Sequence, residues 1–185
     1  GTPTSFDTTQ AGTGYSNTIV TAVYDTLYEY KYLKVPFELK TNLAVALPEV
    51  SDDGLTYTIK IKQGVKYSDD DAFKGGKGRE VVASDFVYSI KRHFDPKNRS
   101  QGAWLWAGKI VGLDQWKADG ADYAKDIEGL HALDDHTIQI KLTQPFPQLT
   151  YTLAMGYSAL VPHEAVTKYG RELSVHPVGS GPYKL

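Results

Sequence analysis

Between Leu55 and Ser68 the sequence reads LTYTIKIKQGVKYS, and its strict alternation limits the fold more than any other stretch. Leu55, Tyr57, Ile59 and Ile61 fall on one face of an extended chain, and Thr56, Thr58, Lys60 and Lys62 on the other. Burying an apolar side chain of this kind is worth roughly 1.5–3 kcal/mol. A slip of one residue would carry both lysines into the core, so the register is well fixed. Asp52-Asp53-Gly54 before the run and Gln63-Gly64 after it read as turns, and Val65-Lys66-Tyr67 resumes a short extended run. The pattern predicts a two-sided hairpin on the edge of a core.

The 185 residues are 41% hydrophobic and 23% charged, with a formal net charge of −2, enough for one domain core or one and a half. No basic excess points to nucleic acid or a membrane surface. The absence of cysteine excludes disulfides and cysteine-ligated metals without settling the compartment. No apolar run approaches the ~20 residues of a membrane span. The chain opens on Gly1-Thr2-Pro3-Thr4 with no signal peptide, which reads as a trimmed start.

Residues 1–14 read as a loop or irregular strand. Ser16 or Asn17 can N-cap a helix carrying Ile19, Val23 and Leu27 at helical spacing, expected over about 16–29. Residues 69–80, DDDAFKGGKGRE, form a polar surface loop. Ser84 is expected to N-cap a helix with a Phe86, Val87, Ile90, Phe94 stripe that ends at Pro96. Ile110-Val111-Gly112 reads as a short strand, followed by a broken helical patch over about 114–126. A second alternation places His136, Ile138, Ile140 and Leu142 opposite Thr137, Gln139 and Lys141, in a hairpin with 130–133 turned at Asp134-Asp135. Leu149, Leu153 and Ala154 recur at helical spacing, and Pro162 and Gly170 bracket a short helix over 162–169.

The motifs argue against chemistry. None of His93, His131, His136, His163 and His176 stands at HxH or HExxH spacing, and His131 and His136 read as exposed strand ends. Gly179-Ser180-Gly181 is too short for a nucleophile elbow. Gly75-Gly76-Lys77-Gly78 lacks the spacing and the Ser/Thr of a phosphate loop. Asp69-Asp70-Asp71 lacks the glycine and distal glutamate of a calcium loop and reads as a solvated acidic turn. Trp104 and Trp106 lie in a Gly-flanked segment. If extended, they face opposite sides, so that one packs inward while the other lines a cleft; the alternative is that both belong to the core.

Taken in order, Asn42-Leu43-Ala44, the run from Asp52 to Lys62, Gly64-Val65-Lys66-Tyr67-Ser68-Asp69 and the run from Ala83 to Arg92 closely resemble the family 5 extracellular solute-binding proteins. These are the oligopeptide and dipeptide receptors of ABC importers. Pro177 to Leu185 resembles the family's PvGtGPYkl strand. Phe6-Asp7 stands where the family carries LDP, with Thr8 in place of the proline. The resemblance implies an α/β fold, α+β over these residues, of the periplasmic-binding-protein type II kind. Residues 1–28 and 150–185 would be parts of a large lobe, residues 29–149 a small, mainly β inserted domain, and the second lobe would lie outside this chain.

By the same resemblance, Gly12, Thr13 and Gly14 form an extended segment that pairs with a peptide main chain, and Trp104 and Trp106 line the ligand cavity. The implied partners are a short peptide and permease subunits, with no nucleic acid, no cofactor and no metal. The implied location is extracytoplasmic, in the periplasm or lipid-anchored on the outer face of the cell membrane, the anchor lying outside this chain. A receptor for a non-peptide solute, a carbohydrate-binding module using the tryptophans, and a hydrolase fragment remain the alternatives. The last is disfavoured because no nucleophile–base pair can be assembled.

Overall fold

A computed structural model describes residues 4–185. The reading of Gly1, Thr2 and Pro3 as a trimmed start lies outside the described residues. The alternating stretches form one antiparallel sheet in the order β3 (Glu49–Val50), β4 (Thr56–Lys60), β6 (Thr137–Lys141), β5 (Leu130–Asp134). Tyr57 faces Ile140 and Ile59 faces Ile138 across the β4–β6 ladder, all four buried, while Lys60 is exposed. The alternation therefore sets the register as expected, with the apolar rows on the covered face.

One part of that expectation is corrected. β4 lies inside the sheet, between β3 and β6, and the run 65–67 turns away from it. Tyr67 N–H donates to Arg79 O at 3.0 Å and Val81 N–H to Val65 O at 2.8 Å, so this run pairs with the far side of the polar loop. Alternation fixes which face a strand buries but not which strand sits beside it.

The apolar face is covered by α2 (Ala83–Phe94), whose Phe86, Ile90 and Phe94 are buried against β5 and β6. Its N-terminus is closed by the Asp85 carboxylate, which accepts the Val82 N–H at 3.0 Å. Ser84, the expected cap, lies inside the helix. Arg79 clamps Asp85 and Glu164 together, at 2.7 Å to Asp85 Oδ1 and 2.5 Å to Glu164 Oε1. Glu164 belongs to α5 (His163–Tyr169), so the clamp joins the first turns of the two helices.

The first helix, α1 (Gly14–Val23), is earlier and shorter than expected. Thr13 is its cap, accepting Ser16 N–H at 3.2 Å. Ser16 is buried inside the helix, and its hydroxyl receives the backbone N–H of Thr4 and Ser5. The Val23–Leu27 spacing that suggested continuation spans the helix end and a non-helical stretch, bent at Tyr24 and Leu27, that runs into β1 (Tyr28–Tyr30). Both ends of such a pair can be buried without a helix between them. β1 pairs with β2 (Leu39–Thr41) in a separate hairpin.

Ile110 makes a single bridge to Leu142 where a strand was expected, and α3 (Leu113–Ala118) follows it. α4 (Leu149–Thr152) is one short turn. Asp70, read as part of a solvated turn, is buried: it accepts the Tyr169 hydroxyl at 2.7 Å and lies 2.9 Å from His176 Nε2. Among the described residues no helix is long and apolar enough to cross a membrane.

Candidate functional site

Three distant stretches of sequence converge on the last turn of α2. There Arg92 and His93 are adjacent, both buried, and bonded to different neighbours. Arg92 forms a two-pronged pair with Asp7, Nη1 to Oδ1 at 3.1 Å and Nη2 to Oδ2 at 2.8 Å. Burial by itself would push the Asp7 carboxyl up, but the Arg92 charge and the hydrogen bonds from Arg92 and Thr9 together hold it below the usual carboxylate range. Asp7 Oδ1 also accepts the Thr9 N–H and hydroxyl, each at 3.0 Å. Further along, Gln10 N–H donates to Asp7 O and Gly12 N–H to Gln10 O, each at 2.9 Å. The segment leading to Gly12 is thereby fixed from one buried ion pair.

His93 Nδ1 lies 2.6 Å from Ser100 Oγ, and the same hydroxyl accepts Gly102 N–H at 3.0 Å. Burial, reinforced by the neighbouring Arg92 charge, pushes the imidazole down to about 4, so the ring is neutral near pH 7. Tyr157 meets His93 edge-on with ring centroids 6.0 Å apart. A Cβ on Gly102 would fall 2.5 Å from the Tyr157 ring, so no larger residue fits there without displacing it.

The two segments are stitched together. Gln101 N–H donates to Thr9 O at 2.9 Å, Gln10 Nε2 donates to Asn98 O, and Asn98 Nδ2 returns to Arg92 O at 2.8 Å. The Gln101 side chain occupies the space that a Cβ on Gly12 would need. Gly12 and Trp104 are therefore both anchored to the segment at Gln101, one by contact and the other three residues along the chain.

The structure divides the two tryptophans. Trp106 is fully buried, whereas Trp104 is 62% exposed. Their segment is a 3-10 turn at Ala103–Leu105 and not an extended run, yet one tryptophan still packs inward while the other is exposed. In such a turn, with three residues per revolution, positions two apart differ by about 240°, so one faces in while the other faces out. Lys109 Nζ sits 3.3 Å from Trp104 O.

Within Gly12-Thr13-Gly14, Thr13 keeps the extended backbone of a pairing segment while capping α1, with φ −99° and ψ 152°, and Gly14 is already helical. Among the described residues the Gly12 carbonyl and the N–H groups of Thr13, Gly14 and Tyr15 have no hydrogen-bond partner. Sequence reasoning did not find Asp7, Arg92, His93, Ser100 or Gln101. No spacing rule connects Asp7 with Arg92, which lie 85 positions apart. Only the resemblance at Phe6-Asp7 hinted at a role there.

Comparison with known proteins places the chain. Residues 38–185 match the family described as bacterial extracellular solute-binding proteins, family 5. The glutathione-binding protein GsiB of Escherichia coli O1:K1 / APEC is 31% identical over 182 residues, covering 98% of this chain and 30% of GsiB. The peptide-binding pheromone receptor PrgZ superposes with TM-score 0.82 and 29% identity over 100% of this chain and 34% of its own. The ABC transporter-associated periplasmic binding protein DppA of Helicobacter pylori, in complex with the peptide STSA, gives TM-score 0.75 and 28% identity over 97% of this chain and 34% of its own. The chain thus spans about a third of the length of these relatives, which are binding proteins and not enzymes. The fold is the α/β architecture of the type II periplasmic binding proteins, and the chain belongs to the family 5 bacterial extracellular solute-binding proteins.

Proposed function

We propose that these residues form the N-terminal portion of a receptor that captures a short peptide outside the cytoplasmic membrane and delivers it to the permease subunits of an ABC importer. One observation carries this reading: exposed Trp104 and the Gly12 carbonyl and Thr13 N–H, which have no partner among the described residues, are both held at Gln101. Unpaired main-chain groups bind a peptide backbone without reading its side chains, and the indole supplies an apolar platform beside them. Peptide binding by PrgZ and DppA supports the same ligand class.

The proposal assigns residues 1–28 and 150–185 to the large lobe and 29–149 to the smaller inserted domain. Contacts between the first two segments support the grouping. Leu160 N–H donates to Asp25 O at 3.0 Å, Gly181 N–H to Val23 O at 2.8 Å, and Ser180 Oγ to Asp25 Oδ2 at 2.8 Å. A second lobe outside these residues closes over the ligand, no bond is made or broken, and a lipid anchor outside the chain belongs to the same proposal.

The test is titration of tryptophan fluorescence with mixed di- to pentapeptides. Small-ligand sites bury most of the ligand, so both lobes are needed for tight binding. If the complete receptor binds near 1 μM, half the contacts leave on the order of −4 kcal/mol, or about 1 mM. The complete receptor should therefore respond saturably, and the 185-residue chain should not respond at about 100 μM. Micromolar binding by the short chain would favour a stand-alone module, and no response from the complete receptor would sink the peptide reading.

A further inference from the structure

We infer that His93, acting through Ser100, is a positioning residue for ligand capture: it sets the turn that presents Trp104. This rests on the peptide-receptor reading above. His93 is buried and does not meet a ligand itself. Its Nδ1 engages Ser100 Oγ at 2.6 Å, and that hydroxyl holds the Gly102 N–H at 3.0 Å. Gly102 opens the 3-10 turn, its carbonyl accepting Leu105 N–H at 3.1 Å, while Ala103 O accepts Trp106 N–H at 3.1 Å. The orientation of the Gly102 peptide therefore fixes the phase of the turn, and the phase decides which of the two tryptophans faces out. Tyr157 packs against both the His93 ring and the Gly102 backbone, leaving the turn little room to rotate.

The placement of His93 makes this more than local packing. The preceding residue on the same helix, Arg92, holds the Gly12 segment through Asp7 and Thr9. The Gln101 to Thr9 bond joins the two segments directly. Two consecutive residues of one rigid helix thus set the positions of both peptide-contacting elements. A side chain that served only to fill the core would be apolar here, whereas His93 directs a polar atom at the hydroxyl that fixes Gly102.

The experiment uses the complete receptor and a random-sequence pool of tri- to pentapeptides, with affinity read by equilibrium dialysis and Trp104 by fluorescence quenching with acrylamide. Ser100→Ala and His93→Leu should each weaken apparent affinity about tenfold and alter Trp104 quenching in the ligand-free protein. His93→Asn, which keeps a polar nitrogen near the Nδ1 position, should restore affinity to within about threefold of wild type. Ile138→Val, a core change remote from the turn, should lower the melting temperature and leave affinity and quenching alone. Should His93→Leu fail to fold, Ser100→Ala decides, because Ser100 is only half-buried. Unchanged affinity in Ser100→Ala, or a loss that Ile138→Val reproduces at equal destabilisation, overturns the inference. Trp104→Ala separates the two levels. If it abolishes binding while Ser100→Ala leaves affinity unchanged, the positioning role alone fails. If it leaves binding intact, or if the wild type binds nothing in the pool, the site reading fails and the positioning role with it.

Discussion

The β4–β6 ladder and the turn that carries Trp104 belong to one continuous core, yet different forces hold them. In the ladder, Tyr57, Ile59, Ile138 and Ile140 meet as neighbours on a covered face, and their contribution is apolar burial that many side chains can supply. At the turn, Asp7, Arg92, His93, Ser100 and Gly102 meet through an ion pair and hydrogen bonds that each need one particular partner. The first region tolerates a change of shape and rejects a charge. The second contains buried polar groups whose removal one at a time leaves a partner stranded.

The largest effect should come from putting a charge into the ladder. Ile59→Asp places an unpaired carboxylate at a position 1% exposed, at a cost of several kcal/mol, a large part of the total stability of a domain this size. Far-ultraviolet circular dichroism should show the variant unfolded at room temperature. Lys60→Asp, one residue on and exposed, should fold normally. Equal losses in the two would mean that the alternation does not govern this strand.

Next comes the buried ion pair. Arg92→Leu should cost about 3–5 kcal/mol in urea denaturation, because it strands the Asp7 carboxylate. Adding Asp7→Leu should recover much of that loss, since both polar partners are then gone. A double variant no more stable than the single would show that the pair is not the unit holding the segment, and the contrast with the ladder would collapse.

A third test uses pH. The folded-state value for His93, about 4, lies below its unfolded value of roughly 6.5, so the unfolded chain binds more protons between the two. Stability should therefore fall as pH drops through that window, by on the order of 2 kcal/mol between pH 7 and pH 5. Asp7, Asp70 and Glu164 are carboxyls held below their usual range, each by partners that outweigh the opposing effect of burial, so their contributions are lost at lower pH. Urea midpoints at the two pH values should converge when His93 is replaced by leucine. A slope that persists unchanged in the variant would assign it to another group.

The same contrast explains what could be read from the sequence. Alternation in Leu55–Ile61 and His136–Leu142 reports burial directly, because a period of two survives whatever lies across the sheet. It gave the two strands and their inward faces, but not that β4 would take β3 and β6 as neighbours while 65–67 paired with 79–81. The helix starts at Gly14 and Ala83 were displaced because Ser16 and Ser84, both good caps in isolation, are overruled by Thr13 and by the Asp85 carboxylate. At the candidate site Trp104 and Gly12 were visible as residue types, while the platform beneath them was not. Asp7 with Arg92 depends on chain separations that no local pattern encodes, and Asp70 reads as a surface residue until Tyr169 and His176 arrive from about a hundred positions away.

The smallest expected effect on stability is the one that bears most on function. Trp104→Ala removes a side chain 62% exposed, and surface changes of that kind fall within about 0.5 kcal/mol. Trp106→Ala, two residues away and fully buried, should instead cost about 3–5 kcal/mol. If the 3-10 turn divides the pair between core and ligand, the two variants should separate cleanly. Trp104→Ala should keep its urea midpoint and lose the peptide-dependent fluorescence response of the complete receptor. Trp106→Phe, which keeps an aromatic ring in the core, should lower the midpoint modestly and retain that response. A Trp104→Ala protein as destabilised as Trp106→Ala would mean that the exposed indole is covered by structure in the complete receptor and packs there. A stable Trp104→Ala protein with full affinity would mean that the ligand never reaches this face.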